Sequence, residues 1–176
     1  MSKRCRRCHQ RIHPLPPLLK ILSRETQVTG SGTWTVPPDV TRLRIRAWGG
    51  GSSGRSLKAL VVPSGGSGGL VEVELFVIPG QQIYYNIGTG GKGTNSVNPG
   101  QETSVSFPAT PTTPIIVIIA FGGHVESSAG GTIYPQNAQS IIQGQIYTGR
   151  GGKGGQGGQL GLPGGDGADG GLIFQW

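Results

Sequence analysis

The residues best suited to chemistry are two cysteines and two histidines near the N-terminus. Cys5 and Cys8 have the C-x-x-C spacing, and His9 and His13 follow them. Thiolate and imidazole are the ligands that zinc prefers, so these four side chains are a candidate zinc site. Zinc sites of this kind normally take a second ligand pair from farther along the chain, and the sequence holds only two cysteines. We therefore expect two reduced thiols and no cofactor, with zinc as the alternative.

The same residues also match C-x-x-C-H, the attachment pattern of c-type haem. Haem attachment requires export. The sequence shows no secretory signal, because it has no apolar stretch followed by a small-residue cleavage site. We therefore do not expect haem. A pair of free thiols is typical of a protein that assembles in a reducing cytoplasm.

Residues 1–26 form a basic arm. They hold seven basic residues against one acidic residue, whereas residues 27–176 hold eight basic and seven acidic residues. A basic arm can bind nucleic acid or an acidic protein surface, or it can be a solvated tail. The arm residues that would contact nucleic acid are Lys3, Arg4, Arg6, Arg7 and Arg11.

The arm also carries an apolar stretch. Three prolines at 14, 16 and 17 favour an extended backbone, and four large apolar residues follow them. Because a free tail gains nothing from such side chains, we interpret the stretch as an anchor that docks on a partner subunit. The anchoring residues are Leu15, Leu18, Leu19, Ile21 and Leu22.

Two segments have the alternation of half-buried strands. In 42–48, Leu43 and Ile45 alternate with three arginines, and in 70–77 valines and a leucine alternate with Glu72 and Glu74. Opposite charges on neighbouring strands stabilise the pair by roughly 0.2–1 kcal/mol. The two charge patterns therefore predict that these strands lie side by side.

Further short strands are expected at 33–36, 82–87, 103–107 and 172–176. The continuous apolar run 115–121 is expected to be covered on both faces. Many short strands separated by Gly and Pro turns are typical of a β-sandwich or jelly roll. The sequence therefore predicts an all-β body over 27–176, preceded by the extended arm.

Glycine accounts for 34 of the 176 residues, and near the C-terminus it recurs every third position. A period of three matches polyglycine II, an extended helix without internal hydrogen bonds, whose backbone groups must bond to neighbouring chains. The other glycine clusters, at 49–51, 65–69, 88–93 and 122–123, are candidate neighbours. Eight glycines follow this period, each the first residue of a three-residue unit, and we call the series the triplet: Gly149, Gly152, Gly155, Gly158, Gly161, Gly164, Gly167 and Gly170.

The sequence gives little sign of catalysis or of a membrane span. It holds no G-x-S-x-G, H-E-x-x-H or P-loop pattern. It also holds no apolar run of the length that spans a bilayer. We expect a protein that is not an enzyme and does not enter a membrane.

An ordered set of motifs carries a resemblance to a known family. G-T-W-T-V-P-P-D-V-T at 32–41 leads into the 42–48 strand and three glycines, and a second strand then leads to Pro79-Gly80. A glycine-rich stretch and a hydrophobic terminal strand end the chain. The sequence over about 27–176 resembles the glycine-rich domain of bacteriophage tail-fibre and other virion proteins.

The resemblance implies a β-sandwich with glycine-rich loops and a structural role in a virion assembled in the host cytoplasm. We expect a tail-fibre or host-attachment component held to the particle by its arm. The expected partners are other virion proteins, further copies of the chain (a trimer in a fibre) and a host surface receptor. Two alternatives remain: a capsid decoration, spike or minor head protein, or a nucleic-acid-binding protein acting through the arm.

Overall fold

The computed structural model is all-β in the part of the chain that it describes, and no helix there is long and apolar enough to cross a membrane. The described residues are 24–55, 64–94, 96, 98–108, 115–124, 127–134, 141–156 and 164–176.

Within these residues, ten strands form two antiparallel sheets of five strands each. Sheet 1 has the order β1-β10-β3-β4-β9, and sheet 2 has the order β2-β5-β6-β7-β8. Strands β3 and β4 pack against β6, β7 and β8, which makes the body the predicted β-sandwich. The strands are β1 (Glu25–Val28), β2 (Ser31–Thr35), β3 (Arg42–Trp48), β4 (Leu70–Phe76), β5 (Gln82–Asn86), β6 (Thr103–Phe107), β7 (Ile116–Ala120), β8 (Gly131–Tyr134), β9 (Ile141–Tyr147) and β10 (Gly171–Gln175).

The predicted pairing of the arginine-bearing and glutamate-bearing strands is confirmed. Strands β3 and β4 are antiparallel neighbours, with Arg44 opposite Glu74 and Arg46 opposite Glu72. Glu72 accepts from Arg46 at 2.6 Å and from Arg44 at 3.4 Å, while Arg42 pairs with Glu74. These charges therefore form a network on the outer face of sheet 1.

The hydrophobic core lies between the two sheets, where the alternating apolar residues point inward. Trp34 of β2 stacks on Phe174 of β10, with ring centroids 4.5 Å apart, and so joins sheet 2 to sheet 1. Burying one such side chain fully stabilises the fold by about 1.5–3 kcal/mol. Side chains buried in this core include Leu43, Ile45, Val71, Val73, Leu75, Ile83, Val105, Ile116, Ile118, Leu172 and Phe174.

The interpretation of 115–121 as a strand covered on both faces is wrong. In β7, Ile116 and Ile118 are buried, whereas Val117 and Ile119 on the other face are only half-buried. The apolar run therefore reflects one core face and one partly solvated face. Strands β1, β8 and β9 were not predicted, because β1 straddles the predicted boundary between arm and body and the other two alternate weakly.

The sandwich begins earlier than the sequence suggests. Arg24 exchanges two backbone hydrogen bonds with Trp176, and Glu25 is the first residue of β1. Both residues fall within the predicted arm. Residues 1–23 of the arm, which include its predicted zinc ligands, basic residues and anchoring residues, lie outside the described residues.

Candidate functional site: the glycine bundle

Four connections of the sandwich leave from the same end: β3–β4, β5–β6, β7–β8 and β9–β10. Each has an outgoing segment that continues the first strand and a returning segment that leads into the second. Among the described residues, all eight of these segments lie side by side and bond through their backbones; we call them the glycine bundle. They are 49–54, 65–69, 88–93, 98–102, 121–124, 127–130, 151–156 and 164–170.

The segment 49–54, which continues the central strand β3, lies in the middle of the glycine bundle. All six of its residues are buried, and each N–H donates to a carbonyl of a neighbouring segment. The acceptors rotate among three segments, so each neighbour is used again at every third residue. The bonds are 2.8–3.0 Å long and run from Gly49 to Gly69, Gly50 to Gln101, Gly51 to Ala168, Ser52 to Gly66, Ser53 to Asn98 and Gly54 to Gly165.

The carbonyls of the same segment are used by three other neighbours. Those of Gly49 and Ser52 accept from the 151–156 segment, that of Gly50 from 121–124, and that of Gly51 from 88–93. The three donating neighbours run parallel to 49–54, because they are also outgoing, and the three accepting neighbours run antiparallel to it. Six neighbours and a period of three residues are the arrangement expected of polyglycine II chains packed side by side.

Close backbone contact explains why these positions are glycine. A Cβ atom on Gly51 would lie 2.1 Å from the carbonyl oxygen of Lys153, and one on Gly68 would lie 2.1 Å from that of Gly49. No side chain fits at such a distance from a fixed backbone atom. Glycine at these positions is therefore a packing requirement, and it lets the chains approach closely enough to bond.

The C-terminal triplet lies against the central segment in register. Cβ atoms on Gly164, Gly167 and Gly170 would meet the carbonyl oxygens of Gly54, Gly51 and Trp48, at 2.2, 2.0 and 2.5 Å. Three residues forward on one chain thus correspond to three residues back on the other. Gly158 and Gly161 lie outside the described residues.

Gly149 has a different role from the rest of the triplet. Its φ is 68°, and a Cβ there would meet only the side chain of Ser128, at 3.0 Å. It therefore belongs to the turn that ends β9 and supplies a left-handed backbone conformation.

The segment 151–156 has a second packed glycine in each triplet, which the period of three alone does not single out. Gly152 and Gly155 face one neighbour, and Gly151 and Gly154 face another, each with a carbonyl oxygen within 2.5 Å of its Cβ position. The third position of each triplet is exposed and carries Lys153 or Gln156. The G-G-x repeat of the sequence is the signal that could have identified a segment at the rim of the glycine bundle.

Comparison with known families agrees with this architecture. A family model described as a glycine-rich domain matches residues 26–139, well over half of the chain. The chain belongs to this glycine-rich domain family. A comparison with curated proteins found no match. The match ends before β9, yet the structure places β9, β10 and both C-terminal segments of the glycine bundle in the same body as the matched part of the glycine-rich domain.

Two carboxylates complete one rim of the glycine bundle, a role that the sequence analysis missed. Asp169 accepts from the N–H of Gly90 at 2.7 Å, and Asp166 accepts from the N–H of Gly93 at 2.5 Å. The two glycines are three residues apart, and so are the two aspartates. Each carboxylate therefore accepts a hydrogen bond where the glycine has no neighbouring backbone carbonyl. The Gly93 N–H and then the Lys92 ammonium, 3.1 Å from Asp166, hold the pKa of Asp166 below its ordinary value of 3.8.

Two serines show how a small side chain fits the central segment of the glycine-rich domain. The hydroxyl of Ser52 accepts from the N–H of Gly66 at 2.9 Å, and the hydroxyl of Ser53 accepts from the N–H of Asn98 at 2.9 Å. Both serines are fully buried. Their hydroxyls therefore act as additional acceptors inside the glycine bundle.

The described part of the glycine-rich domain contains no group of three His, Cys, Asp or Glu side chains placed to hold a metal ion. The predicted zinc ligands Cys5, Cys8, His9 and His13 lie outside it. What the arrangement does is mechanical: it fixes four pairs of outgoing and returning chains at one end of the sandwich.

Proposed function

We propose that this protein is a non-enzymatic structural component of a bacteriophage virion, in which the sandwich and glycine bundle form an exposed attachment module. The observation that carries the proposal is the central segment 49–54, bonded to neighbours on six sides. Such a scaffold holds chains stiffly without large side chains. It suits a module that presents a rigid surface to a binding partner.

The arm has the complementary role in this proposal. Residues 1–26 carry the apolar stretch and most of the chain's net positive charge, whereas the remainder is close to neutral. Arg24, the first described residue, bonds to Trp176 and leads into the edge strand β1, so the arm joins the sandwich at an edge of sheet 1. We propose that it anchors the module to other virion proteins, in a trimer where the particle is a fibre.

Incorporation into particles tests the anchor. Replacing Leu15, Leu18, Leu19, Ile21 and Leu22 by Ser in the full chain should abolish incorporation, measured by mass spectrometry of purified virions, and leave the circular dichroism spectrum unchanged. The matched control replaces Lys3, Arg4, Arg6, Arg7 and Arg11 by Gln, and it should leave incorporation intact. Normal incorporation of the leucine and isoleucine variant would contradict the proposal.

The attachment role is tested separately. Excess purified full-length chain should compete with virions for adsorption to host cells. A capsid decoration protein predicts no competition. A nucleic-acid-binding role through the arm predicts instead that the Gln control loses an affinity for DNA that falls steeply with salt.

A further inference from the structure

The outer faces of the two sheets differ sharply in charge. On sheet 1, three arginines of β3 face the glutamates of β4 and form ion pairs. On sheet 2, the outward residues of all five strands include no Asp, Glu, Lys, Arg or His; we call them the neutral face. These described residues are Ser31, Thr33, Thr35, Gln82, Tyr84, Asn86, Ser104, Ser106, Val117, Ile119, Thr132 and Tyr134.

Two tyrosines dominate the neutral face. Strand register places Tyr84 and Tyr134 in one cross-strand row, separated by Ser106 and Val117. Tyr84 is 47% exposed and Tyr134 is 68% exposed. Since neighbouring strands lie about 4.8 Å apart, the two tyrosine positions are about 14 Å apart on a flat surface. Each ring offers a rigid apolar surface with a polar hydroxyl at its end.

The remaining side chains of the neutral face are mainly hydroxyls and amides. Ser31 donates to Asn86, and the Tyr84 hydroxyl donates to Gln82 at 3.3 Å, so the polar groups are already oriented. A composition of Tyr, Ser, Thr and Asn is typical of surfaces that bind by ring contact and adaptable hydrogen bonds. Because the neutral face carries no acidic or basic side chain, it favours a partner that is itself uncharged.

The area of the neutral face argues against a second protein copy. Five strands of about five residues span roughly 400 Å². A stable protein–protein interface buries about 800 Å² on each partner, and homodimer interfaces are more apolar than this surface. A smaller, hydroxyl-rich ligand fits better in both size and chemistry.

The geometry points to the neutral face as a binding surface for a neutral oligosaccharide, with Tyr84 and Tyr134 stacking on sugar rings and the Ser, Thr, Asn and Gln side chains bonding to sugar hydroxyls. Sheet faces of β-barrels bind oligosaccharides in a comparable way. The inference rests on the proposed attachment function and deepens it by naming the class of ligand.

The test uses the full-length chain on an array of neutral oligosaccharides of glucose, galactose, mannose and N-acetylglucosamine, printed beside sialylated and sulfated ones. Titration calorimetry then measures the affinity of the Tyr84→Ser and Tyr134→Ser variants for the neutral oligosaccharide that binds best. Each variant should weaken binding by about tenfold, because each loses one ring contact. The control Phe76→Ser removes a ring from sheet 1 whose exposure lies between those of the two tyrosines, and it should bind as the unmodified chain does.

On the array and in calorimetry, three results would overturn the inference: binding of acidic glycans alone, no binding of any neutral glycan, or binding that survives both tyrosine substitutions. A change of oligomeric state in the tyrosine variants, measured by analytical ultracentrifugation, would also overturn it, because a second copy would then cover the neutral face. If both tyrosine variants still adsorb to host cells as the unmodified chain does, the inference fails and the attachment function stands. If the full chain binds a neutral glycan through these tyrosines but does not adsorb to cells, the attachment function fails.

Discussion

At the scale of the residue, glycine acts in this protein through what its absent side chain permits. A Cβ on Gly155 would lie 2.0 Å from the carbonyl oxygen of Gly165, whereas one on Gly130 would have its nearest neighbour at 3.6 Å. Neither residue has a positive φ. The two positions therefore differ in space and not in backbone conformation, which makes them a matched pair.

Substitution by alanine should have opposite effects at these two positions. Gly155→Ala should lower the free energy of unfolding by about 1–3 kcal/mol, because the added methyl group forces two bonded chains apart. Gly130→Ala should raise it by up to about 1 kcal/mol, because alanine restricts the unfolded chain. Urea denaturation of the two variants measures both effects. Equal effects of the two substitutions would show that close packing in the glycine bundle does not decide the result.

The carboxylate of Asp166 gives the glycine bundle a pH dependence. Its pKa is lowered in the folded protein, so it binds a proton less tightly than in the unfolded chain. The stability that it contributes is therefore present above its ordinary pKa of 3.8 and is lost as pH falls through the folded value. Asp166→Asn should lower the thermal midpoint at about pH 6, and the gap to the unmodified protein should close in acid.

Glu102→Gln is the control for this experiment, because Glu102 is an exposed carboxylate on a neighbouring segment of the glycine bundle. Thermal melts of the three proteins across the acid range, followed by circular dichroism, make the comparison. A gap for Asp166→Asn that stays constant down to the lowest pH would mean that ionisation of this carboxylate does not stabilise the fold.

At the scale of the element, the segment 49–54 is as well bonded as the strand that precedes it. All six of its N–H groups donate at 2.8–3.0 Å, and all six residues are buried. The edge strand β9, by contrast, has exposed side chains over most of its length. A segment without regular secondary structure is therefore expected to be more stable locally than a strand of the sheet.

Amide hydrogen exchange measures this difference. The N–H groups of 49–54 should exchange as slowly as those of β3 and on the order of a hundredfold more slowly than those of β9, because their exposure requires several neighbours to separate at once. Mass spectrometry of peptic peptides from the native protein resolves the three regions. Fast exchange of 49–54 would show that the glycine bundle opens independently of the sandwich.

Strands were predictable where side chains alternate and carry complementary charge. The arginines of β3 and glutamates of β4 indicated both strands and their pairing. Strand β9 has glutamines and Gly144 where a core strand would carry apolar residues, because its position at the sheet edge leaves much of it exposed. Its alternation was therefore too weak to recognise from the sequence.

At the scale of the whole molecule, the sequence predicted the period of the glycine segments but not their neighbours. A glycine has no side chain whose size or charge could select a neighbour. The glycine residues therefore indicate the period of three and nothing about which segments pack together. Which segments meet is decided by the sandwich, because the strands place the outgoing and returning chains at one end. The carboxylates of Asp166 and Asp169 do select a neighbour, since they bond to Gly93 and Gly90. Their spacing of three residues is visible in the sequence and matches the glycine period.

The two halves of the molecule are held together by different forces. The sandwich is stabilised by apolar side chains between its sheets, an effect that weakens on cooling. The glycine bundle buries mainly backbone amides, each paired with a carbonyl. Leaving one such group without a partner costs about 1–3 kcal/mol, so the segments depend on one another more than on any single contact.

The rotation of bonding partners around 49–54 also sets how far the protein can reach. In a chain with three residues per turn, every third N–H donates to the same neighbouring segment. Lengthening an outgoing and a returning segment together by three residues extends the reach by about 9 Å and preserves every later bond. One or two added residues would turn all later donors toward the wrong neighbours. Related proteins should therefore vary in reach by discrete steps, as a ruler with fixed divisions would.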